Sequence, residues 1–224
     1  MTTGRSAAET SPPKGRRPRG VVREGLIAAG VELARSGGPD AVVLREATRI
    51  VGVAPNAAYR HFADRDELLA AVCTAAMSEL GDRMAAGVGR VRGRRGDPMA
   101  AAQRLRAIGT AYLQFARDEP GLFATAYALP QQHAYVTPGG GAGPDRTPLG
   151  QLRSALDELV DAGVIDVRRR AGIEYPVWGA VHGMAVLTGQ GPLRDVPETE
   201  MHNLDELTLT FIGDSLMADR SHQE

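Results

Sequence analysis

The sequence predicts an all-α protein, with a small N-terminal three-helix domain built on a helix-turn-helix and a larger helical domain behind it. Three observations carry the prediction. Apolar residues recur three and four positions apart through most of the chain, the spacing of one helical face. No segment alternates apolar and polar residues as a half-buried strand would, and no repeat period is visible. The breaks between periodic segments hold glycine, proline and acidic residues, which stop and start helices.

Residues 1–20 form a polar arm that ends in KGRRPRG, Lys14 to Gly20. Its Lys14, Arg16, Arg17 and Arg19 can follow a phosphate backbone or enter a minor groove. Val22, Leu26, Ala29 and Leu33 share one helix face, closed by Ser36-Gly37-Gly38-Pro39. Leu44, Ala47 and Val51 make a second, shorter stripe that Gly52 stops. Pro55 suits the first turn of a third helix, where its missing N–H leaves no bond unmade, and that helix runs to about Phe62. Asp64-Arg65-Asp66-Glu67 reads as a capping box for a helix through Leu68, Leu69, Val72, Ala76 and Leu80 to about Ala86.

Gly87–Pro98, GVGRVRGRRGDP, is a break that reads as a flexible linker, with a basic patch as the alternative. Helical patterns follow over Pro98–Arg117 and Gly121–Leu129, with Pro120 between them. Residues 130–148 read as a loop in which His133 and Tyr135 are candidates for a lid. Its glycines lack the Lys-Ser/Thr of a phosphate loop and follow no strand, so a nucleotide site is rejected. Three more helices span Leu149–Ala162, Ile173–Leu187 and Asn203–Met217. The middle one is apolar nearly all round, which calls for burial or an interface. The expected divisions are an arm over 1–20, a first domain over 21–68, a second over 69–218 and a tail over 219–224.

Composition narrows the function classes. At 43% hydrophobic and 24% charged residues, the 224-residue chain can build a globular core. Its single cysteine, Cys73, excludes an intramolecular disulfide and a cysteine zinc site, and its helical spacing with Leu69, Val72 and Ala76 makes it a buried small hydrophobe. No apolar run approaches the roughly 18 residues of a membrane span, and the first twenty residues lack the apolar core of a secretory signal. A cytoplasmic protein with no membrane partner is expected. The net charge of −1 hides an asymmetry: residues 1–65 carry 11 basic and 6 acidic side chains, residues 66–224 carry 15 and 21. A basic N-terminal third points to a local anionic partner.

Helix, glycine turn and short helix together form the pattern of a helix-turn-helix. A short second helix buries little, so its value lies in what it presents. Val53, Ala58 and Phe62 supply its packing side. Pro55, Asn56 and Ala57 stand at the end that reaches base edges, with Asn56 suited to adenine and Ala57 to a thymine methyl. Tyr59 and His61 can donate to phosphates, Arg60 and Arg65 add charge, and Arg45 starts the preceding helix. The expected partner is a double-stranded DNA operator.

GVAPNAAYRHFADRDELL resembles the signature of TetR-type transcriptional regulators. The resemblance spans about Val22 to Val72 and puts Gly52, Pro55, Tyr59, Phe62 and Leu68 in register. It implies an all-helical homodimer with an N-terminal DNA-binding domain and a C-terminal ligand-binding and dimerisation domain. It also implies repression of a near-palindromic operator, relieved by an unidentified small-molecule effector. The family often has Thr or Ser near position 43, Ser at 54 and Thr at 57; here stand Val43, Ala54 and Ala57. Two helix caps thereby lose a hydroxyl, at about 1 kcal/mol each.

VWGAVHGMAVL, Val177 to Leu187, is the second informative stretch and resembles a Trp-x-x-x-His-Gly core found in one C-terminal domain type of such regulators. Gly179 and Gly183 clear one stripe for close approach, at about 1 kcal/mol each in helix propensity. The resemblance implies a four-helix dimer interface from this helix and the last one, with Gly179, Gly183, Leu187, Leu207 and Phe211 at the contact. Tyr112, Phe115, Phe123, Tyr127, Trp178 and His182 are the candidates to line an effector pocket; plain core is the competing reading, and for His182 a buried, hydrogen-bonded ring. No charged residue is placed inside that pocket, which favours an apolar effector. No cofactor or metal is expected, since His182 has no second ligand at metal spacing. An enzyme would need a catalytic constellation, and none is visible. A non-specific architectural DNA protein would need neither a groove-reading helix nor a large acidic second domain. A regulator that activates, or that needs no ligand, remains the alternative.

Overall fold

The computed structural model describes residues 19–129 and 145–217. Lys14, Arg16, Arg17, the side chain of Arg19, His133, Tyr135 and the tail over 219–224 lie outside the described residues. Among the described residues the chain is all helical: α1 Arg19–Gly37, α2 Leu44–Val51, α3 Pro55–Ala58, α4 Arg65–Gly89, α5 Pro98–Asp118, α6 Pro120–Ala126, α7 Pro148–Asp161, α8 Glu174–Gly189 and α9 Glu198–Met217. No helix among them is long and apolar enough to cross a membrane.

The helix ends follow from local chemistry. Asp64 caps α4 by accepting the Glu67 N–H at 2.9 Å, while the Glu67 carboxylate accepts the Ala63 N–H at 2.6 Å, one residue before the cap itself. Asp97 and Thr147 cap α5 and α7 in the same way, each followed by a proline whose missing N–H costs nothing there. Val43 and Ala54 hold the N-cap positions of α2 and α3 in extended backbone, without a side-chain cap. This agrees with the missing hydroxyls read from the sequence.

Several boundaries differ from expectation, among them the end of α6, which lies at Ala126 and not Leu129. The α-helix of α3 stops at Ala58, although a hydrogen-bonded turn carries on to Phe62. Helix α4 continues through Gly87 to Gly89, so two of the glycines read as linker are helical. Helix α9 starts at Glu198, five residues before Asn203, because its acidic first turn carries no apolar stripe to announce it.

Helices α2 and α3 pack on α1, and α1 packs on α4, with Leu26, Ala47, Ala58, Phe62 and Leu68 fully buried in this domain. Helix α4 then runs on into the larger bundle, where it packs against α5, α6 and α7. The expected domain border at residue 68 thus falls inside one continuous helix. Cys73 lies on α4, where its thiol donates to the Thr125 carbonyl of α6 at 2.9 Å and burial pushes its pKa up to about 11. On α8, Val177, Val181 and Ala185 face inward, so its all-round apolarity leaves an uncovered outer side.

Candidate nucleic-acid interface and internal cavity

Gly52 ends α2 with φ of 71°, a left-handed conformation that a side chain resists, and turns the chain into Val53 and Ala54. Pro55 then opens α3. Fully buried Ala58 and Phe62 fasten α3 and its following turn to the domain. What this fastening leaves outward is Pro55, Asn56, Tyr59 and Arg60, with Ala57 and His61 half-buried beside them. Tyr59 is 59% exposed, a large value for an aromatic ring with no apolar task to perform. Arg45 is exposed in the first turn of α2. The structure therefore collects these predicted residues on one short outward segment and its neighbour.

Arg65 is placed differently. Its guanidinium donates to the Pro39 carbonyl at 2.7 Å and stands near Asp66 and Asp40, tying the start of α4 to the turn after α1. The side chain is thus partly engaged within the domain, while 40% of it stays exposed. Sequence reasoning missed Arg23, whose guanidinium lies 5.2 Å from the centroid of the Phe62 ring and adds a cation beside the outward segment. A signal was there: Arg23 is four residues after Arg19 and on the same side of α1.

In the bundle, α5, α7, α8 and α9 border a cavity of about 350 Å³ that opens to solvent beside Met99 and Met217. Tyr112, Tyr127 and Trp178 line one part of it, and aliphatic side chains such as Leu152, Val181 and Ile212 line most of the rest. Phe115, Phe123 and His182 do not line it. Phe115 is fully buried under the Arg83 guanidinium, 5.2 Å from its ring centroid. Phe123 packs edge-on against Tyr112 at 5.5 Å, and His182 stands behind the same tyrosine. Five of the six predicted residues thus form one aromatic cluster, and Phe115 is apart from it. The lining also includes Arg106 and Asp214, contrary to the expected absence of charge; Arg106 is ion-paired to Glu206.

The Tyr112 hydroxyl is the hub of the cluster. It lies 2.8 Å from the Tyr127 hydroxyl and 2.7 Å from His182 Nδ1, and it accepts from Trp178 Nε1 at 3.3 Å. One proton and two lone pairs meet three partners, so the hydroxyl is saturated. Burial holds the Tyr112 pKa well above its ordinary value, with Tyr127 adding to the effect, and burial lowers that of His182. Both groups are neutral near pH 7.

Helix α6 joins this cluster to α1. Phe123 and Tyr127 stand toward its far end, while at its start Gly121 presses on the last turn of α1. Glu119, just before α6, is ion-paired with Arg35 of α1 and accepts from Arg83 of α4 at 3.1 Å. This junction carries no motif and was not read from the sequence. On the outer side of α8 a Cβ added at Gly179 or Gly183 would meet no atom within 4 Å. Leu187 is 40% exposed, and Leu207 and Phe211 of α9 are each 66% exposed.

Two family models match the chain. One, described as bacterial regulatory proteins of the tetR family, covers residues 26–72; the other, described as a tetracyclin repressor-like C-terminal domain, covers residues 105–210. Together they take in well over half of the sequence, and the first includes the whole segment built above.

The chain belongs to the TetR family.

It is a DNA-binding helix-turn-helix regulator with the TetR arrangement of helices. Solved structures share its fold. A protein of unknown function from Rhodococcus sp. RHA1 is 23% identical with a TM-score of 0.63, over 93% of this chain and 98% of that one. A candidate TetR-family transcriptional regulator from Mesorhizobium loti MAFF303099 is 16% identical with a TM-score of 0.61, over 88% and 97%. A TetR family transcription regulator from Marinobacter aquaeolei VT8 is 17% identical with a TM-score of 0.58, over 87% and 95%. No curated protein matches the chain.

Proposed function

We propose that this TetR regulator is a homodimeric repressor that an uncharged, largely apolar small molecule releases from a near-palindromic operator. The observation that carries the reading is the 350 Å³ cavity, whose aromatic end shares α6 with the junction on α1. A molecule that fits the cavity only when α6 has shifted would favour a second position of α1 to α3, and it would do so by as much as it prefers that state. An apolar effector suits the site because the Tyr112 hydroxyl is already saturated and Arg106 already has Glu206. A charged effector would be stripped of water with no free counter-charge at the aromatic end.

Dimerisation is supported by the uncovered outer side of α8 and α9, where Gly179, Gly183, Leu187, Leu207 and Phe211 leave an apolar surface open to a second copy. Two copies related by a twofold axis would present two α3 segments to successive turns of a duplex. In that arrangement Asn56 reads base edges, with Pro55 and Ala57 beside it. Arg45, Tyr59, Arg60 and His61 hold phosphates, and Lys14, Arg16, Arg17 and Arg19 extend the contact along the duplex.

The test is selection of binding sites from random duplex DNA with the purified protein. An enriched inverted repeat is expected, and Asn56→Ala should relax its sequence while Arg60→Ala weakens binding to all sequences alike. A selected site with no inverted symmetry, bound by a monomer, would overturn the dimeric reading.

A further inference from the structure

We propose that the loop between α4 and α5 is a second DNA contact, through which an operator-bound molecule holds a separate duplex. The inference rests on the operator reading above. Residues 90–95, RVRGRR, place four arginines in six positions of a chain whose net charge is −1. Arg90, Arg92, Arg94 and Arg95 are exposed, and none has a carboxylate partner among the described residues. Elsewhere in the bundle the arginines are engaged: Arg83, Arg104, Arg106, Arg117, Arg153 and Arg170 all make ion pairs. Four unpaired guanidiniums in one place stand out against that pattern.

The loop has a fixed shape. Gly93 and Gly96 take φ of 128° and 84°, and the Asp97 N–H closes a turn on the Arg94 carbonyl at 3.2 Å. Asp97 then caps α5. Arg104, held by Glu158, donates to the Gly93 carbonyl at 2.7 Å and fastens the loop to the bundle. Arg90 also borders an open groove between α4 and α5, lined by Thr110 and Gln114 and by Arg83 and Arg106, whose charges are already paired.

The position and chemistry select the partner. Helix α4 has 25 residues, so the loop stands roughly 37 Å from the helix-turn-helix, at the opposite end of the helix. Guanidinium groups match phosphate oxygens in pairs. Residues 90–97 carry no aromatic side chain on which unpaired bases could stack, and their one apolar side chain, Val91, is half-buried and too small to anchor in a lipid surface. A duplex, met by its backbone and without regard to sequence, fits what remains.

The experiment saturates an immobilised duplex, taken from the random-sequence selection, with the full chain and then offers a labelled duplex of unrelated sequence. The wild type should capture the second duplex at about 50 mM salt and lose most of that capture by about 200 mM. The triple variant Arg92→Gln, Arg94→Gln, Arg95→Gln should capture at least about fivefold less while binding the selected duplex unchanged. Equal capture by the variant, or none by the wild type, overturns the proposal. So does arginine-dependent binding to anionic vesicles with no duplex captured. Failure of the wild type to bind any selected duplex would instead sink the operator reading.

Discussion

Gly121 lies so close to the end of α1 that a Cβ on it would come within 2.7 Å of the Arg35 carbonyl oxygen and nearer still to that of Ala34. These are backbone atoms, which cannot swing aside as a flexible side chain can. Gly121→Ala must therefore push α6 off α1. The expected loss is about 1–3 kcal/mol, the range for overpacking a tight contact. Urea unfolding would measure it, and an unchanged midpoint would mean that the junction has slack.

The charges at this junction should be coupled. Glu119 is mostly buried and serves both Arg35 and Arg83, whose side chains are about a third exposed. A double-mutant cycle of Glu119→Gln with Arg35→Gln should give a coupling of about 0.5–1 kcal/mol. Additive effects would show the pair to be a solvated surface contact.

Tyr112→Phe keeps the ring and removes only the hub hydroxyl. Trp178 Nε1, Tyr127 and His182 each lose a partner in a buried site, so the variant should be less stable by about 1–3 kcal/mol. Thermal unfolding of this variant beside Tyr127→Phe checks it. An equal, small effect in both would mean that water already reaches the cluster.

Acid should weaken the fold through His182. Burial holds its folded pKa below the ordinary 6.5, so the unfolded chain takes up the proton first as pH falls. Its contribution is whole above 6.5 and is lost progressively below. The unfolding midpoint should fall between pH 7 and 5, and the fall should be shallower in His182→Gln. Parallel profiles would assign the acid sensitivity to other groups.

A missing cap can be restored. Ala54 holds the N-cap of α3 with φ of −66° and ψ of 143°, the extended geometry from which a hydroxyl reaches the first turn. Ala54→Ser should stabilise the chain by about 0.5–1 kcal/mol, read as a raised melting midpoint. A loss would mean that the hydroxyl disturbs the turn from Gly52.

The helix-turn-helix was legible because its determinants are local. Gly52, Pro55 and the Asp64 cap each act within a few residues of themselves, and Ala58 and Phe62 announce their buried side by spacing. The aromatic cluster was half legible. Scarce aromatic residues tend to gather, but sequence could not tell that Phe115 turns toward Arg83 while Tyr112 turns toward His182, because helix rotation is set by packing. The junction of Gly121 with Ala34 joins residues far apart in the chain, and nothing local at either end signals it.

Cys73 gives this protein a built-in clock. The thiol is buried between α4 and α6, bonded to Thr125, and protonated up to a pKa of about 11. Only the thiolate attacks a disulfide reagent, displacing the reagent's other thiolate, so the reaction must wait until α6 lifts from α4. Because this is the chain's single cysteine, the labelling rate times that parting alone. Compared with and without candidate effectors, it would time the opening of the joint without a mutation or a strand of DNA.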